Sequence, residues 1–138
     1  MKYAVLLSAI FLATAHGADV KETSSEKMQG VWLVEEFSIG GEKMDIPKGM
    51  KAVIEKNNLT IRAPGAIGEE KFAFELGRSA KLQTFDVVDG KGKTASFGIY
   101  EMKGDTLRIC MAEEKRPEKF ASEKGSKNRL IVVKRKAK

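Results

Sequence analysis

The sequence predicts an all-β domain of eight short antiparallel strands, arranged as a sandwich or a barrel. Three observations carry this. Apolar and polar residues alternate with a period of two in short runs, as where Phe72, Phe74 and Leu76 flank Ala73 and Glu75. Turn-forming clusters separate the runs at short intervals, among them Gly40-Gly41, Lys56-Asn57-Asn58, Asp89-Gly90-Lys91-Gly92-Lys93 and Lys103-Gly104-Asp105. Room for helix remains only ahead of the first run.

In chain order, Ala18 to Gln29 is polar, with Thr23 and Glu26 spaced as a capping box and Gly30 as a stop, so one or two helical turns are expected there. Val31 to Ile39 is the first strand. Its parity sets Trp32 and Val34 on one face and Val31, Leu33, Phe37 and Ile39 on the other. Glu42 to Met50 reads as a loop. Lys51–Glu55 and Leu59–Arg62 form a hairpin, and a Pro- and Gly-containing loop, Ala63 to Glu69, follows. The next strands are Phe72–Leu76, Lys81–Val88, Thr94–Met102 and Thr106–Ala112. A long polar loop, Glu113 to Asn128, leads to the last strand, Arg129–Arg135.

The 138 residues suit one domain with a single core. Residues 1–17 differ in composition: Lys2 is followed by an apolar run to Ala15, then Ala15-His16-Gly17 offers small residues for cleavage. This reads as a secretory signal peptide, with 18–138 as the mature domain and a secreted or periplasmic destination. Cleavage would remove His16, the only histidine, and with it any Ser-His or Cys-His nucleophile system. With one cysteine left, no metal site and no cofactor are expected. Cys110 cannot pair within the chain; it is buried, or it is a reactive or dimer-forming thiol.

The formal charge is +6, and loss of Lys2 makes it +5. The lysines are interleaved with glutamates, as in Glu69-Glu70-Lys71, so no nucleic-acid partner is expected. Only Lys134-Arg135-Lys136-Ala137-Lys138 is a purely basic run. It is a solvated tail, or a weak contact to an anionic surface.

Gln29-Gly30-Val31-Trp32 on the first strand is similar to the start of lipocalins. Gly98-Ile99-Tyr100-Glu101, Gly104-Asp105 with Leu107, Ile109-Cys110, and Arg116-Pro117 with Phe120 together resemble the uncharacterised lipocalin-like domain family of planctomycete bacteria. Phe85-Asp86 resembles a further position of that family. Its usual Pro-Lys pair before the Asp is replaced here by Leu82-Gln83-Thr84. The resemblance spans Met28 to Arg135 and implies an eight-stranded lipocalin-like barrel. It also implies that Trp32 packs at the closed end beneath Arg135. The family carries no activity that could be transferred.

Candidate site residues follow from that picture. Tyr100 and Glu101 fall on opposite faces of one strand, so they cannot act together on one group. Gly104-Asp105 is turn chemistry. No pair of carboxylates has a spacing that suggests acid–base catalysis, and no enzyme activity is expected. A small, partly apolar ligand inside the barrel would meet Phe72, Phe74, Phe85 and Tyr100, with Arg116 as its polar handle. Arg116 has a second reading: Pro117 extends the chain before it, Phe120 buries, and the arginine latches the loop to Asp86 or Glu101. The functional alternatives are a non-catalytic ligand binder and a cell-envelope protein-interaction module with a side-chain-filled barrel. A monomer is expected.

Overall fold

A computed structural model describes residues 26–64 and 68–136. The expected signal peptide, its expected boundary at Gly17, and Thr23 of the expected capping box lie outside the described residues.

A helical turn at residues 26–28 leads into nine strands: β1 (Gly30–Ile39), β2 (Glu42–Lys43), β3 (Lys51–Glu55), β4 (Asn58–Arg62), β5 (Glu69–Ser79), β6 (Leu82–Val88), β7 (Thr94–Lys103), β8 (Thr106–Ala112) and β9 (Arg129–Arg135). All neighbours pair antiparallel. The order runs β1-β3-β4-β5-β6-β7-β8-β9, and β9 returns to β1. Eight strands therefore close an up-and-down barrel, which leaves no long edge open to other chains.

The ninth strand is a correction to the expected loop after Gly41. Glu42 and Lys43 fold back on the end of β1, pairing with Ile39 and Ser38. Gly40 (φ 56°) and Gly41 (φ 91°) make this tight return. A Cβ on either would come within 2.7 Å of backbone atoms of the 113–128 loop, so glycine is required there by space as well as by φ.

A second correction concerns parity on β1. The β1–β9 register shifts between Val34 and Glu36, so Glu35 is the extra residue of a bulge. Val34 pairs with Val133, and Phe37 with Ile131. Phe37 therefore joins Trp32 and Val34 on the inner face. Val31 and Leu33 point outward and are 38% and 36% exposed.

The main core lies in one half of the barrel. Met28, Trp32, Phe74, Phe85 and Leu107 are each at most 1% exposed, and Ile54 and Ile109 pack among them. Phe74 and Phe85, on β5 and β6, stack at a centroid distance of 4.4 Å. A second buried patch lies outside the wall. Ile99 and Cys110 face each other across β7 and β8, with Ala112 beside them, and the 113–128 loop covers them.

Candidate functional site

The barrel has a plugged end and a hollow end. At the plugged end the Arg135 guanidinium sits 4.1 Å from the Trp32 ring centroid. Trp32 Nε1 donates to Met28 O at 2.9 Å. Arg135 donates to the carbonyls of Gln29, at 3.0 Å, and Lys27. These bonds tie the helical turn down like a stopper, because carbonyls at a helix C-terminus need donors and carry partial negative charge. Gly30, at φ 124°, has its would-be Cβ 3.3 Å from Arg135 Nη1, so a side chain here would crowd the stopper.

At the other end the inner wall encloses a cavity of about 570 Å³. Val34, Phe37, Leu59, Ile61, Phe72, Val87, Met111 and Ile131 supply its apolar wall, and Met50 and Ala63 reach in from loops. Four polar side chains stand in the lining: Ser96 on β7, Arg129 on β9, and Glu69 and Glu70 on β5. Arg129 Nη2 donates to Ser96 Oγ at 3.0 Å, and Ser96 is only 6% exposed. Glu70 and its neighbour Glu69 are exposed at the mouth.

The five residues expected to line a site do not come together. Phe72 lines the cavity. Phe74, Phe85 and Tyr100 belong to the filled half, at 1%, 0% and 5% exposure.

Arg116 lies on the outer face. It makes a two-pronged pair with Asp86, Nη1 to Oδ1 at 2.5 Å and Nη2 to Oδ2 at 3.0 Å. Arg116 Nη1 also donates to Gly98 O at 2.8 Å, and Gly98 N donates to Asp86 Oδ1 at 3.3 Å. Between Thr84–Ile99 and Val87–Ser96 the β6–β7 ladder has a gap, and these side-chain bonds serve the Gly98 backbone there. Gly98 is needed because a Cβ would stand 2.4 Å from Phe85 O. Asp86 holds the Arg116 pKa above its ordinary value.

The rest of the latch is consistent with that position. Pro117 is buried, and Phe120 packs under Arg108 at 4.7 Å. Cys110 Sγ lies 3.6 Å from Ala121 O; Cys110 is 0% exposed, and burial pushes its pKa up. Glu101, the other carboxylate considered for Arg116, pairs instead with Arg108 and Lys103. Its pKa is lowered chiefly by Arg108, against an opposing effect of burial. Gly104 (φ 57°) and Asp105 form the β7–β8 turn, and Asp105 O accepts from Arg135 N at 2.7 Å.

Ser96, Glu70 and Arg129 were legible as inward residues, since they share parity with Tyr100, Phe72 and Ile131 respectively. Met50 gave no such signal, and the β1 bulge hid Phe37. Among the described residues no group of three or more His, Cys, Asp or Glu stands close enough to hold a metal ion.

Among the described residues, fold and site together define a closed up-and-down β-barrel with a stoppered end and an open, mostly apolar cavity at the other. Comparison with protein-family models, curated proteins and solved structures gives no match.

Proposed function

We propose that this chain is an exported, lipocalin-like binding protein that holds one small, partly apolar molecule in the hollow end of its barrel without reacting with it. The carrying observation is the cavity of about 570 Å³. Its size falls within the range typical of small-molecule sites, roughly 300–1,000 Å³, and its lining is largely apolar with few polar groups. Binding would draw on burial of apolar surface at about 25 cal/mol per Å². The lipocalin-like resemblance of Gly30, Trp32 and Arg135, and the signal-like residues 1–17, support the class and the export.

The test is uptake of an uncharged, environment-sensitive dye such as Nile red. The wild-type protein should enhance its fluorescence saturably. The variant Ile131→Trp, which fills the cavity from β9, should lose uptake while still unfolding cooperatively. Absence of saturable uptake by the wild type would overturn the proposal.

That negative result would favour a second reading, a cell-envelope interaction module. One surface supports it. Lys134, Leu33, Lys51 and Arg62 lie in one register row across β9, β1, β3 and β4. Lys136 crowds Lys51 and lowers its pKa, with a smaller push from Arg62.

A further inference from the structure

We infer that the cavity selects a ligand bearing one anionic group, a carboxylate in its simplest form, which pairs with Arg129 and Ser96 while the apolar body lies against Phe37, Ile61 and Phe72. This rests on the binding reading above and adds the ligand's charge and orientation.

Arg129 differs from the other arginines whose contacts are resolved. Arg116 is matched by Asp86, Arg108 by Glu101, and Arg62 by Glu69. Arg135 is spent on backbone carbonyls and the Trp32 ring. Arg129 faces the cavity, and the ion pairs among the described residues give it no carboxylate. Its partner is the neutral Ser96 hydroxyl at 3.0 Å.

A guanidinium offers five donors in a planar fork suited to two carboxylate oxygens, and one bond to Ser96 leaves most of them unspent. The Ser96 oxygen accepts from Arg129, so its own hydrogen can turn to a bound oxygen. A cation half-sheltered by an apolar wall has lost part of its hydration. An anion arriving beside it gains more than it would at an exposed lysine.

The acidic residues fix the orientation. Glu69 and Glu70 begin β5, which stands four strands from β9 in either direction round the barrel. They are exposed and solvated at the mouth. Glu69 is already paired with Arg62, so Glu70 is the carboxylate that repels an anionic head from the β5 rim, and the head is drawn to the β9 wall.

The experiment titrates decanoate and decanol, which share a chain and differ in the charged head, into wild-type protein and into Arg129→Gln by calorimetry. The wild type should bind decanoate about tenfold or more tightly than decanol, as expected for a charge-assisted pair. Arg129→Gln should remove that preference while leaving decanol affinity within about twofold. Arg129→Lys should keep part of it, because the charge remains and the fork does not. Equal wild-type affinity for the two probes would overturn the inference and leave the binding reading standing. So would equal weakening of both by Arg129→Gln. Failure of the wild type to bind either probe would overturn both. The wild-type comparison decides the matter even if a variant fails to fold.

Discussion

Replacing Arg116 with methionine keeps the length of the side chain and removes its charge. Three hydrogen bonds go: two to Asp86 and one to Gly98 O. The Asp86 carboxylate keeps only the 3.3 Å bond from Gly98 N. The two side chains are 27% and 21% exposed, so the pair is screened but not fully solvated. Exposed pairs contribute about 0.2–1 kcal/mol, and breaking a buried one costs about 3–5 kcal/mol. The latch falls between, and Arg116→Met should cost about 2–3 kcal/mol. For a domain of this size that lowers the thermal midpoint by about 8–12 °C. Circular dichroism melts measure it, and a cycle with Asp86→Asn should give a coupling energy of about 1–2 kcal/mol. Dye uptake should be unchanged, because the arginine is outside the wall. A midpoint within about 2 °C of wild type, together with lost uptake, would refute the latch and return Arg116 to the ligand.

Two further perturbations test the stopper and the covered patch. Trp32→Ala empties the plugged end and should cost about 3–5 kcal/mol, read as a lowered denaturant midpoint; an unchanged midpoint would remove Trp32 from the core. Native Cys110 should resist a thiol reagent and react once urea unfolds the chain, because burial both shields it and raises its pKa; rapid labelling of the folded protein would mean that the 113–128 loop lifts away.

Much of the fold was legible because alternation and turn chemistry agree along most of the chain. The turn at Gly104-Asp105 forms where a residue tolerant of positive φ stands between alternating runs, whereas in the Lys56-Asn57 hairpin the positive φ (55°) falls on Lys56 and not on an asparagine. Two features were hidden for identifiable reasons. β2 has two residues, too few for any period to register, and it exists because the Gly40-Gly41 return brings Glu42 and Lys43 beside β1. The Glu35 bulge adds one residue to β1, and one residue reverses the face of all that follow. The adjacent Glu35-Glu36 was its only trace in the sequence.

The candidate site was legible by face but not by depth. Parity correctly turns Phe72, Phe74, Phe85 and Tyr100 inward, yet parity does not say how far along the axis a side chain lies. Only the register separates Phe74 and Phe85, stacked in the filled half, from Phe72 at the hollow end. Arg116 belongs to a loop, where no period exists, and its position outside the wall follows from Asp86 alternating out between Phe85 and Val87.

β9 carries Arg129 at one end and Arg135 at the other. Six residues of strand hold them about 20 Å apart. One arginine closes the barrel and the other faces its cavity. At that spacing, with no shared partners, substitutions at the two ends should combine additively. Substitutions at the mouth should therefore leave intact the base on which the fold stands. With the base stoppered, a molecule held as proposed would both arrive and leave through the open mouth.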